Sequence, residues 1–474
     1  MNDPISRELS RRKFIGACCS AVTATGMLSA LSQLRLLGAL AEPSNTPILG
    51  ADVPDYRALV CLFLAGGNDA NNLLIPNDTS GYATYAAGRT TLALPQTGLI
   101  GISPRTTDGR AWALHPAMSG FKQLFDAGKG AILANVGTLA VPTSKAQYTA
   151  RSVPLPLQLF SHNDQQVEWQ SSIADKAFAT GWGGRLADLT NAVNNNNRIS
   201  MSISLAGQNA FQVGDQIVQY AVGTTGAIAL SGNSASTTSV AGIRTKAQTD
   251  LLNSPNANLF ETAFAGMTSN AINNSALLSG VLGATVPFTT VFPTSNLGQQ
   301  LRMIARLIAA RDQLGLKRQV FFARIGGWDL HDSQLSAANP LTGAHANLLG
   351  DVSNSLKAFY DATAELGVAE KVTTFTASDF GRTLRSNGDG SDHGWGSHHL
   401  VVGGSVRGGD IYGRMPDLTI NGPDDTGSGR WIPSTSVDEY NATLAKWFGV
   451  SSTDLGIVLP NIGRFANPDL GFMA

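Results

Sequence analysis

Ala58-Leu59-Val60-Cys61-Leu62-Phe63-Leu64-Ala65, running straight into Gly66-Gly67-Asn68-Asp69, is the stretch that decides the fold. Eight uncharged residues with no polar alternation read as a strand buried on both faces, because a strand with one wet face alternates. Two glycines break the run and a carboxylate follows at once. The same unit recurs along the chain. Residues 130–137 are a second apolar run, preceded by a helix expected over 115–127. Leu297, Leu301, Ile304 and Ile308 fall at helical spacing before a strand at 319–325, closed by Gly326-Gly327. A helix with the stripe Leu349, Val352, Leu356, Phe359 and Leu366 precedes a strand at 372–377, and 400–402 is a further strand stopped by Gly403-Gly404. This rhythm predicts an α/β fold, a mainly parallel central sheet with helices on both faces. In such sheets, ligands collect beyond the carboxyl ends of the strands. Between 190 and 276 the composition shifts to Asn, Ser, Thr, Gly and Ala, the signature expected of a surface insertion or cap.

Ser10-Arg11-Arg12-Lys13-Phe14-Ile15 stands before an uncharged run to Leu34 and the tripeptide Ala39-Leu40-Ala41. It reads as a twin-arginine export signal, so residues 1–41 are expected to engage the twin-arginine machinery and to be removed. Residues 42–474 are then expected to form a single periplasmic or extracellular domain with no membrane contact after cleavage. An uncleaved anchor is the competing reading, which Gly16 and Gly26 disfavour. Export of an already folded chain suits a protein that acquires a metal or cofactor first. Removal of the signal takes Cys18 and Cys19 with it and leaves Cys61 alone, so no intrachain disulfide is expected. The signal holds five of the 33 basic and two of the 34 acidic residues, leaving 28 against 32 and a formal charge of −4. That balance points away from a nucleic-acid partner.

Five of the seven histidines lie between His331 and His399, alongside Asp329, Asp379 and Asp392. In extended chain, residues two apart share a side, so Asp329 and His331 can face one point, as metal ligands must. Otherwise Asp329 caps a turn and His331 is solvated. Asp379 follows another strand and is either a ligand or an N-cap, with Arg382 three residues on as a fork for a tetrahedral anion. The glycine-rich run Ser391-Asp392-His393-Gly394-Trp395-Gly396-Ser397-His398-His399 supplies three more imidazoles. Adjacent His398 and His399 point opposite ways if they begin a strand, so at most one reaches the site; the other reading places them in the core. Asp69 stands where the first strand presents ligands, or in a capped turn. In Phe160-Ser161-His162-Asn163-Asp164-Gln165-Gln166, Ser161 is a candidate nucleophile, His162 an equal candidate for the functional residue, and Thr143-Ser144 a second hydroxyl pair; Ser161 as a helix cap is the plain alternative. No nucleotide-binding P-loop, H-E-x-x-H helix, G-x-S-x-G elbow or C-x-x-C pair is present.

Taken together, the twin-arginine leader, Gly66-Gly67-Asn68-Asp69, Gly327-Trp328-Asp329-Leu330-His331, Asp379-Phe380-Gly381-Arg382-Thr383 and Asp392-His393-Gly394 resemble the bacterial family called domain of unknown function 1501. That family is similar to the alkaline phosphatase and sulfatase superfamily. The resemblance implies a metal-dependent hydrolase of small-molecule or polymer-linked phosphate or sulfate esters. It also implies one or two divalent ions, zinc first, with manganese, iron or calcium as other occupants. Asp69, Asp329, His331, Asp379, His393 and His398 would be the metal ligands, and Ser161, Arg382 and His393 the catalytic groups. Phe380 stands where the superfamily carries a histidine, a departure that bears on the second metal. The alternative is a non-catalytic exported metal-dependent binding or assembly protein, acting with a second exported protein.

Overall fold

The computed structural model of the chain describes residues 55–474 apart from 195–198, 229–231, 233, 235, 256–257 and 284–285. The export signal and its cleavage point lie outside the described residues. Ten strands form the main sheet: β1 (Arg57–Leu64), β2 (Gly130–Gly137), β3 (Ser202–Ser204), β4 (Tyr220–Gly223), β5 (Gly226–Ala227), β6 (Arg318–Ile325), β7 (Val372–Ser378), β8 (Ser397–Gly403), β9 (Ile411–Tyr412) and β10 (Thr435–Ser436). Their spatial order is β9-β2-β8-β7-β1-β6-β3-β4-β5, with β10 also beside β2. Among the described strands of this sheet, only β8 and β5 run antiparallel to their neighbours. The sheet is therefore mixed but mainly parallel, and β1 lies at its middle with every residue from Ala58 to Leu64 buried.

Helices cover the sheet. Trp182 of helix Trp182–Thr190 and Tyr440 of helix Val437–Phe448 both pack their rings on Phe375 of β7. Helices Ser119–Asp126 and Asn296–Ala309 each pack against Ala344–Glu365. Among the described residues no helix is long and apolar enough to cross a membrane.

The stretch 190–276 is not peripheral throughout. Met201, Ile203 and Phe211 are fully buried, and β3 pairs with β6 in the main sheet. Three apolar side chains suffice to seat a short strand whose other residues, Ser202 and Ser204, are small enough to be buried with it. The helices Val240–Leu252 and Leu259–Leu282 do carry exposed apolar residues, Leu251 and Phe260 among them. A second correction concerns β8, which begins at Ser397 and not at 400, so His398 and His399 are already inside the sheet.

Register fixes the level at which the chemistry leaves the sheet. Leu64 pairs with both Ile325 and Ser378, so β1, β6 and β7 end together. The loops that follow them carry Asp69, Asp329 and Asp379.

Candidate metal centre

Two glycines let these three loops touch. Gly66 adopts φ +123°, and a Cβ placed on it would lie 2.5 Å from the Asp329 backbone nitrogen. Gly67 adopts φ +85°, and its Cβ would lie 2.6 Å from the Phe380 ring. Both φ values are ones that L side chains avoid. The turn also donates Gly66 N to Asp379 Oδ1 at 3.1 Å. Beyond Asp379 the chain enters a hairpin of strands Arg382–Ser386 and Ser391–His393, in which Arg382 lies opposite His393. Arg382 Nη1 reaches back to Asp329 Oδ1 at 2.7 Å.

Three imidazoles meet at Asp329. His162 Nε2 is 3.4 Å from Oδ2, His331 Nε2 is 3.1 Å from Oδ1, and His393 Nε2 is 3.3 Å from Oδ1. His331 Nε2 and His393 Nε2 are 2.9 Å apart. The far nitrogen of each ring is tied to an acceptor. His162 Nδ1 is 2.6 Å from Asp379 Oδ2, His393 Nδ1 is 2.7 Å from the Phe160 carbonyl, and His331 Nδ1 is 3.3 Å from Asp392 Oδ1. A carbonyl or carboxylate only accepts, so in the neutral rings the proton sits on Nδ1 and each Nε2 presents a bare lone pair. Lone pairs facing one another and a carboxylate repel unless a cation lies between them. Ligands about 2.0–2.1 Å from a tetrahedral zinc stand roughly 3.3 Å apart, close to the separation of each imidazole Nε2 from an Asp329 oxygen. Buried His162 Nε2 has no hydrogen-bond partner, and His162, Asp329 and His393 form a possible ligand triad. The residues fit a divalent cation.

The hydrogen bond that His162 Nδ1 donates to the Asp379 carboxylate raises the His162 pKa against burial, which lowers it, and so makes that ring more basic toward a proton or a metal cation. For Asp329, burial favours the neutral acid, but the hydrogen bond and charge of Arg382 prevail and hold the carboxyl below its ordinary value. Burial lowers the His393 pKa, which keeps that ring neutral and able to ligate.

Of the residues singled out in the sequence, Asp329, His331 and His393 come together, and Asp379 stands behind His162. The others go elsewhere. Asp69 is buried, and its carboxylate accepts from Arg89, from Gln334 Nε2 at 2.5 Å and from Asn71 Nδ2 at 3.2 Å. His398 lies in β8, where its Nδ1 accepts from Asn135 N at 3.0 Å and burial lowers its pKa to about 4. Arg382 is 1% exposed; its Nη1 donates to Asp329 and its Nη2 to the Ser391 carbonyl at 2.5 Å, so the fork ties Asp329 to the hairpin, while its buried Nε has no partner. Ser161 precedes helix His162–Ser171 and donates to Asp164 Oδ2 at 2.5 Å. Ser144 caps helix Lys145–Ala150 in a capping box with Gln147. His162, weighed against Ser161 in the sequence, is the residue of that segment that enters the cluster.

Residues 56–428 match the family described as "Protein of unknown function (DUF1501)". The chain belongs to that family. Among solved structures, this DUF1501 protein is similar to the PsFucS1 sulfatase from Pseudoalteromonas sp., at 12% identity over 82% of this chain and 69% of that one, TM-score 0.32. It is similar to Ps i-CgsB in complex with k-i-k-neocarrahexaose, at 12% identity over 87% and 77%, TM-score 0.35. It is also similar to the phosphonate monoester hydrolase of Agrobacterium radiobacter, at 12% identity over 83% and 74%, TM-score 0.29. No curated protein sequence matches the DUF1501 chain.

Proposed function

We propose that this DUF1501 protein is an exported metal-dependent hydrolase of phosphate or sulfate esters, with water as the nucleophile. One observation carries the metal dependence: His162 and His393, each with its proton held at the far side of the ring, bring Nε2 to within 3.4 and 3.3 Å of the Asp329 carboxylate. The ester class rests on the family resemblance. His162, Asp329 and His393 would hold the ion, zinc in the first instance. Such an ion, when bound, polarises an ester oxygen and acidifies water.

The chain's own groups do the rest. Asp379 and the Phe160 carbonyl keep His162 and His393 in the ligating tautomer. Arg382 keeps Asp329 ionised and aimed. At the mouth, His331 and Asp392 are 43% and 47% exposed and make a dyad able to move a proton to or from a substrate oxygen. Structural zinc sites are closed, whereas catalytic sites keep a position open; Asp329, 45% exposed at the centre of the cluster, supports the open type. Burial of Arg382 and the tie of Ser161 to Asp164 favour, as a second reading, a metal-dependent binding protein, since both remove catalytic parts.

Metal content and turnover of an aryl phosphate and an aryl sulfate separate the two. The hydrolase reading expects metal bound in the purified protein and turnover lost on chelation and in Asp329→Asn. His331→Ala should keep its metal and lose on the order of 10²–10⁴ in kcat. Metal retained with neither ester hydrolysed moves the assignment to a binding protein. Absence of any metal affinity sinks both.

A further inference from the structure

The strand-end acid that does not join the cluster carries a second conclusion, which rests on the metal-centre reading above. We propose that this protein holds one divalent cation per chain, and that the positive charge opposite its third strand-end carboxylate, Asp69, is the guanidinium of Arg89.

Asp69 follows β1, between the strands that carry Asp329 and Asp379, so its carboxylate is placed for a second ion. Both its oxygens are already used. Arg89 closes helix Thr79–Arg89, is fully buried, and forms an ion pair through Nη2 with Asp69 Oδ2. Gln334 Nε2 donates to the same oxygen at 2.5 Å and Asn71 Nδ2 to Oδ1 at 3.2 Å. Both amide oxygens are engaged elsewhere. Gln334 Oε1 accepts from Ser391 Oγ at 2.8 Å, and Asn71 Oδ1 accepts at 2.9 Å from Trp431 Nε1, which can only donate and so fixes that amide. Among the described residues, every side chain that hydrogen-bonds the Asp69 carboxylate therefore does so through N–H. A metal ion entering there would meet donors and a guanidinium in a buried setting where like charges are costly.

Space is closed as well. Phe380 stands beside Asp379, and its ring centroid lies 4.8 Å from that of His162 and 4.6 Å from that of His393. The carbon face of the phenyl, abutted by Gly67 on its other flank, takes ground that a ligand would need.

Arg89 also has a positioning role. Its Nε donates to Asn72 Oδ1 at 3.1 Å, and its Nη1 to the carbonyls of Thr383 and Leu384 at 2.9 and 3.0 Å. Those carbonyls belong to the hairpin that starts at Arg382 and ends at His393. One buried cation thus joins the β1 loop to the strand pair that brings two residues to the metal centre.

The test is metal stoichiometry on the full chain, by elemental analysis and by calorimetric titration with zinc and with manganese. One ion per chain is expected, and unchanged in Asp69→Asn. Removing the guanidinium in Arg89→Met should lower thermal stability and, with the two amides and Phe380 still in place, leave the stoichiometry at one. Two ions in the unaltered protein, or loss of the single ion in Asp69→Asn, overturns the inference while leaving the metal centre standing. No ion at all overturns the metal centre itself. If Arg89→Met does not fold, the unaltered chain and Asp69→Asn still decide the matter.

Discussion

Asp379 and Asp329 leave the ends of the two strands that flank β1, yet burial divides their work. Asp379 is fully buried and spends its oxygens on Gly66 N, Gln166 Nε2 at 2.9 Å and His162 Nδ1. It faces the back of the imidazole, and sets which nitrogen carries the proton. Asparagine at 379 can keep the bond to Gly66 N but turns an N–H toward His162 Nδ1, driving the ring proton onto Nε2, the ligating atom. Asp379→Asn should therefore fold and bind zinc about 10–100-fold more weakly, read by competition with a chromogenic chelator; an unchanged affinity removes Asp379 from this role. The strand-end acids and His331 and His393 were legible in the sequence because strand ends and a glycine-rich loop announce where side chains project. Arg89 was not, since its partner stands 20 residues away on another element and nothing local marks a buried arginine. His162 was only half legible: its polar segment stood out, but Phe160, with φ +72°, makes a turn that no pattern in the sequence announces.

At the scale of elements, apolar runs without alternation gave β1, β2, β6 and β7 to within about a residue, because burial on both faces leaves a plain mark. β3 and β4 escaped because three and four residues are too few to show a pattern, and the start of β8 because its polar first residues are buried by tertiary contact alone. The Gly66-Gly67 turn was legible as a break, but its purpose is steric. A methyl group at Gly66 meets the Asp329 backbone at 2.5 Å and the adjoining Trp328 carbonyl carbon at 2.9 Å, and backbone yields little. Gly66→Ala should therefore cost about 1–3 kcal/mol from the strained φ alone and should push the Asp329 loop off the cluster. Thermal denaturation with and without zinc separates these effects. The variant should lose melting temperature in both conditions and lose most of the stabilisation that zinc gives the unaltered protein. An equal zinc-induced shift in the two proteins would mean that the turn does not position Asp329.

For the whole molecule, the pH dependence of stability follows from two acids set deep in the fold. Burial raises Asp438, at the start of helix Val437–Phe448, to about 8, and Glu168, on helix His162–Ser171, to about 9. In the unfolded chain, such groups titrate near 3.9 and 4.3. Between those values and the folded ones, the native state holds protons that the unfolded state has released, so stability falls as pH rises. Their contribution is whole below about pH 4 and is lost progressively through about pH 8 and 9. Asp69 and Asp392 act in the opposite sense. Burial alone would raise them, but Arg89 beside the first and the amide of Asn387 beside the second hold both below their ordinary values, so their support is lost as acid is added. The fold should therefore be most stable on the mildly acidic side of neutrality and weaken toward pH 9. Denaturant midpoints from pH 5 to 9 check this, and the double variant Glu168→Gln, Asp438→Asn isolates the cause. Its midpoint should decline less across that range than that of the unaltered chain. Parallel curves would show that the two carboxyls are ionised in the native protein and that the burial argument has the wrong sign.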